Sequence, residues 1–251
     1  MLLLTSCSTW NFQTKKQSIQ KFDELPAEKY LTEDYLAQLK MYELFYTNNL
    51  EIKLLEPNKT VNNYLVKLAD GIIKANELFF DQKLKTKITI VKSYNPFYFS
   101  LPDRSIFLST GLLQRYVKHE GILASIIAYQ LVRAEKRIYN RNIIVPIGYF
   151  TTEKMLEMLK LPLKERNEIH KWAYHLMRRA GHDEDQYLAW LQILNRNNHE
   201  FIAQQGEVSV IASEEANFKS FIIKYTKNKK KKKQFLSSKP FYEFMRTINR
   251  I

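Results

Sequence analysis

The sequence predicts an α+β fold, mostly helices around a small sheet near residues 87–109. Three observations carry this: an amphipathic helical period from Val61, a switch to alternating polar and apolar residues at Lys87–Val91, and a return to helical patterning after Gly111. Only 6 Gly and 7 Pro in 251 residues argue against a loop-rich β architecture. Hydrophobic residues at 45% and charged residues at 26% give enough apolar surface for a real core and exclude a disordered chain.

In chain order, Glu28–Tyr46 reads as a helix ended by Asn48-Asn49. Val61 to about Phe80 is a second, with Leu65, Leu68, Ile72, Ile73 and Ala75 forming its apolar stripe. Lys87–Val91 and Ser105–Ser109 read as strands, and Pro96 and Pro102 bracket an aromatic segment, Phe97-Tyr98-Phe99. Gly121–Arg137 is so apolar that its helix should be buried on most sides. Helices follow over Thr151–Leu159, Lys164–Arg179 and Asp183–Asn195, with Gly181 placed as a helix C-cap. Val208–Val210 is a short candidate strand, and Asn217–Tyr225 and Phe241–Arg250 are the last helices. Residues 27–251 form one expected domain.

The net charge of +13 favours an anionic partner, and Lys227 with Lys229–Lys233 supplies six positive charges in seven residues. Such a run is ordinarily a solvated loop. It leaves nucleic-acid binding as a second alternative, although the run carries no interleaved aromatic or Arg to stack on bases. No run of 18 apolar residues is present to span a bilayer. The single cysteine, Cys7, follows Leu4-Thr5-Ser6, which resembles a bacterial lipobox. The resemblance implies lipidation at Cys7, residues 1–6 as a truncated signal remnant, residues 7–26 as a tether, and a lipoprotein facing the periplasm from the outer membrane. The other reading is an incidental cysteine.

Three segments carry a further resemblance. Asn95-Pro96-Phe97-Tyr98-Phe99-Ser100-Leu101-Pro102 followed by Ser105-Ile106-Phe107-Leu108-Ser109-Thr110-Gly111-Leu112-Leu113 is similar to N-x-x-x-A-F-x-x-P and I-x-x-x-x-G-L-L. Glu120-Gly121-Ile122-Leu123-Ala124-Ser125-Ile126-Ile127-Ala128 is similar to E-x-x-L-A-x-V-L-A. Asn167-Glu168-Ile169-His170, with Met177-Arg178-Arg179-Ala180-Gly181-His182-Asp183, is similar to E-A-D running into M-x-x-A-G-Y-D-P, and Ser237-Ser238-Lys239-Pro240 to S-T-H-P. Together they resemble metallopeptidase family forty-eight, which includes the CaaX prenyl proteases and bacterial periplasmic lipoprotein peptidases. The resemblance implies a zincin-like fold over roughly residues 60–250, with Glu168 at the third zinc ligand and an edge strand, Ser105–Ser109, that holds an extended peptide beside Phe97, Tyr98 and Phe99.

The family's H-E-x-x-H would fall on Tyr129-Gln130-Leu131-Val132-Arg133. Residues four apart on a helix share a face, so two imidazoles meet one zinc and the Glu takes a proton from its water. A phenol with pKa near ~10 and a guanidinium are not practical zinc ligands, and Gln is no general base. No catalytic residue, metal ligand or cofactor is therefore expected, and zinc belongs only to an alternative in which a non-standard site makes an active metalloendopeptidase. A relocated site from Glu168, His170 and a distant His is a variant of that alternative. His119-Glu120 reads as H-E without a second ligand at the required spacing. In place of the metal, Arg133 is expected to pair with Glu168 beside Tyr129, against a solvated Arg133 with Glu168 paired elsewhere. The leading expectation is an inactive, peptidase-like lipoprotein that binds an envelope peptide or protein.

Overall fold

The computed structural model of the chain describes residues 32–56, 59–139, 150–225 and 236–251. Cys7, the proposed signal remnant and tether, and Lys229–Lys233 lie outside them. The described chain is α+β: α1 (Thr32–Thr47), α2 (Lys59–Lys74), β1 (Lys87–Val91), β2 (Tyr98–Leu101), β3 (Ser105–Ser109), α3 (Thr110–Tyr116), α4 (Glu120–Glu135), α5 (Thr152–Met158), α6 (Leu163–Arg179), α7 (Asp185–Arg196), α8 (Asn198–Gln205), α9 (Val208–Tyr225) and α10 (Lys239–Ile248). No described helix is long and apolar enough to cross a membrane.

The sheet has the order β1-β3-β2. β1 runs parallel to β3, from Lys87 opposite Ser105 to Val91 opposite Ser109, and β2 runs antiparallel to β3, from Tyr98 opposite Leu108 to Leu101 opposite Ser105. Side chains alternate across a strand, so this register divides the core in two. Ile88, Ile90, Tyr98, Ile106 and Leu108 face the larger core with α2 and α4. Val91, Phe97, Phe99, Leu101 and Phe107 face a smaller core with α1 and α5. There Phe99 and Phe107 stack at 4.8 Å, and Tyr46 of α1 meets both edge-on.

This topology corrects the edge-strand expectation. β3 is the central strand, and Ser105, Ile106, Phe107, Leu108 and Ser109 are all buried. Its backbone is occupied on both sides, so it cannot take a further strand. Phe97, Tyr98 and Phe99 are buried at 1–2% exposure and pack the core instead of lining an entrance. The outer edges are occupied in part as well. Leu55 N donates to Ile90 O (2.8 Å) and Lys92 N to Lys53 O (2.7 Å) beside β1. Beside β2, Tyr98 N donates to Gln204 Oε1 (3.1 Å) and Gln204 Nε2 donates to Tyr98 O (2.6 Å). One side-chain amide thus makes the pair of bonds a neighbouring strand would make.

Other expectations shift for physical reasons. The aromatic segment is β2, since its alternate residues fit the two cores. Val208–Val210 is not a strand but the first turn of α9, which absorbs Asn217–Tyr225 into one helix and packs on α6 and α7. Its β-branched residues lose to tertiary packing. Gly206, at φ 92° and ψ −151°, separates α9 from α8, which the sequence reading omitted. Gly181 has φ 81° just beyond α6, as a C-cap requires. The helix begun near Val61 ends at Lys74, short of Phe80.

Candidate functional site

Tyr129, Gln130 and Arg133 lie on α4, which is buried from Ile122 to Ala134. It packs against β2 and β3 on one side and α6 and α7 on the other. Tyr129 is 8%, Gln130 0% and Arg133 5% exposed. Burial pushes the Tyr129 phenol up to about 12, further from a metal-binding phenolate.

α6 brings the opposite wall. Its buried face runs through Arg166, Ile169, His170, Ala173, Tyr174 and Met177, a 3.6-residue period. Position 168 falls between these on the outer side. Glu168 is accordingly 54% exposed at its side chain and pairs with Lys171 at 2.5 Å. The expected Arg133–Glu168 pair does not form, because the two residues face different surroundings. Arg133 instead donates from Nη2 to Leu159 O and from Nε to Ile138 O (3.3 Å), with its guanidinium 5.2 Å from the Tyr139 ring centroid. It is not the solvated residue of the alternative either. A metal site combining Glu168 and His170 is excluded by the same geometry, and nowhere among the described residues do three His, Cys, Asp or Glu side chains gather around one point.

What faces Tyr129 is a buried polar network that the sequence reading missed. The His170 ring lies 4.7 Å from the Tyr129 ring. His170 Nδ1 meets Tyr187 Oη of α7 at 2.9 Å, and Nε2 meets Glu214 Oε1 of α9. Glu214, 2% exposed, also accepts from Arg166 Nε (3.0 Å) and Nη2. Arg166 Nη1 donates to Gln205 O at 2.6 Å. Both His170 ring nitrogens are thus occupied, Nε2 by the Glu214 carboxylate and Nδ1 by the Tyr187 hydroxyl. Burial alone would raise the Glu214 carboxyl, but His170 and Arg166 override it and hold the group below its ordinary value. Burial would lower Arg166, and the Glu214 carboxylate beside it raises it instead.

Between α4, β2, α5, α6 and α8 lies a cavity of about 20 Å³, lined among others by Gln130, Arg133, Arg166, Leu159 and Gln204. Neither polar atom of the Gln130 side chain has a hydrogen-bond partner among the described residues. A wider groove of about 400 Å³ opens outside it, between the Ser93–Phe97 segment, α5 and α8.

The Ser237-Ser238 segment has a structural task. Glu120 N donates to Ser237 Oγ (3.0 Å), while the Glu120 carboxylate accepts from Ser238 N, Ser238 Oγ (both 2.7 Å) and Tyr64 Oη (2.8 Å). This ties the start of α10 to the N-terminus of α4 and to α2; Lys239 lies in the exposed first turn of α10, paired loosely with Glu243 at 4.0 Å. His119 is the N-cap residue of α4, without a capping side-chain bond.

Comparison with models of known protein families gives no match to this chain, and no curated protein matches it.

Proposed function

We propose that this chain is a non-hydrolytic relative of the family forty-eight metallopeptidases, a zincin-like frame kept for binding an envelope peptide or protein. One observation carries the reading: the helix aligned with the metal-binding helix presents Tyr129, Gln130 and Arg133 to the interior, and the only imidazole facing it, His170, has both nitrogens engaged by Tyr187 and Glu214. That donor set offers no pair of imidazoles on one face and no carboxylate base for a metal-bound water. The 400 Å³ groove beside β2 supplies the binding surface, with Asn95, Glu153, Leu156 and His199 on its walls. Residence in the envelope rests on lipidation at Cys7.

The test uses purified full chain and an unfolded, fluorescently labelled casein. Binding without turnover is expected, together with zinc well below one ion per chain by elemental analysis. Hydrolysis that a chelator abolishes overturns the reading and restores the active-peptidase alternative. Incorporation of a labelled fatty acid that disappears in Cys7→Ala tests the anchor.

A further inference from the structure

The cavity beside Gln130 has a charge problem. Arg133 is 5% exposed, yet its hydrogen-bond partners are the neutral carbonyls of Leu159 and Ile138. The groups that act on it electrostatically are tyrosines: Tyr129, Tyr139, Tyr35 and Tyr98. Arg166 on the same cavity wall is balanced by Glu214, whose two oxygens are already taken by Arg166 and His170. No carboxylate among the described residues pairs with Arg133. A buried guanidinium without a countercharge is costly, because desolvation is not repaid by neutral partners.

A second observation points to the same place. Gln130, 0% exposed, lines the cavity, and its side-chain amide has no partner among the described residues, so its Nε2–H group is an unused donor there. A cationic wall, a free amide donor and a volume of about 20 Å³ define the ligand by chemistry. The space takes one particle near the size of a water molecule. Water fits, but brings no charge. Carboxylates, phosphate and sulfate are too large.

We propose that this cavity is a binding site for a single small monovalent anion of halide size, held by the Arg133 guanidinium and the Gln130 amide. The anion stands as countercharge to Arg133 inside the fold. The proposal rests on the cavity and its lining, independently of any descent from a peptidase, so each can fail without the other.

The experiment measures thermal melting of the full chain at fixed ionic strength while sodium chloride or bromide replaces sodium gluconate, whose anion cannot enter. The midpoint should rise and saturate, by about 3 °C at ten times the dissociation constant, with either halide. Arg133→Met and Gln130→Leu should melt independently of the anion. Crystals of the unmutated chain grown in bromide should show an anomalous peak in the cavity, which decides the matter even if either variant fails to fold. A midpoint that ignores anion identity, a folded Arg133→Met that keeps the full halide response, or a cavity holding only water in bromide-grown crystals overturns the proposal.

Discussion

Glu214→Gln is the sharpest probe of the network that faces α4. The substitution keeps shape and removes the charge that balances Arg166, at a carboxylate only 2% exposed. Breaking one partner of a buried ion pair leaves the other uncompensated and costs about 3–5 kcal/mol. At roughly 2–4 °C per kcal/mol for a domain of this size, the melting midpoint should fall by roughly 6–20 °C at pH 7. The pH dependence follows from the lowered Glu214 pKa. Its ordinary value is 4.5, and the folded value lies below that. The carboxylate's contribution is therefore fully present above pH 4.5 and is lost as pH falls through the folded value. The gap between unmutated chain and variant should narrow below pH 4.5. Replacing both partners, in Arg166→Met with Glu214→Leu, should cost less than Glu214→Gln alone, because no buried charge is stranded. Circular-dichroism melts across this pH range measure all three. A Glu214→Gln midpoint within 2 °C of the unmutated chain, or a gap unchanged at low pH, refutes the reasoning.

Three further outcomes follow from the packing. Gly111→Ala should destabilise the chain by about 3 kcal/mol in urea unfolding, because a Cβ there would sit 1.9 Å from Tyr94 O and 2.6 Å from Tyr94 C, both backbone atoms that cannot step aside cheaply. Gln204→Ala leaves the backbone N–H and C=O of Tyr98 without their partner and should cost about 1–3 kcal/mol, while opening the outer edge of β2; light scattering should then detect more association than in the unmutated chain. Glu120→Ala removes two acceptor contacts that dock α10 and one that holds Tyr64 of α2, and hydrogen exchange of residues 239–248 should accelerate far more than that of α6.

Local order was legible where one physical signal dominated. β1 falls on the expected residues because its polar and apolar residues alternate with period 2, and β3 because a short apolar run, Ile106-Phe107-Leu108, lies between Pro102 and Gly111. α4 was recognisable as a buried helix from an apolar run too long for a strand. β2 was harder, since Phe97, Tyr98 and Phe99 are apolar on both faces and alternation disappears when a strand is covered on both sides. α9 was misread at its start because Val208 and Val210 prefer strands locally, whereas Ile211, Glu214 and Phe218 at helical spacing bury its inner face. The edge position assigned to β3 failed for a different reason. Strand order is a property of topology, and no residue of Ser105–Ser109 encodes which strands flank it.

The site divides along the same line. The periodicity of α6 already contained the correction to Glu168, since Ile169, Ala173 and Met177 fix the inner face and place 166 and 170, not 168, beside it. Glu214 was beyond reach, because it lies 44 residues from His170 and 48 from Arg166 and belongs to a helix whose first turn reads as strand. Without Glu214, a buried Arg166 and His170 have no visible reason to be inside. With it, the polar groups facing Tyr129 close on themselves across α6, α7 and α9, and nothing remains on that wall for Arg133. The charge on α4 and the charges on α6 are thus solved separately, the second by protein carboxylate and the first by whatever the cavity beside Gln130 holds. The two arginines still line one small cavity, so the Arg166 charge stranded by Glu214→Gln should be partly relieved by Arg133→Met, a coupling of about 0.5–3 kcal/mol in double-mutant melts. Strict additivity would show that the two guanidiniums do not sense one another across the cavity.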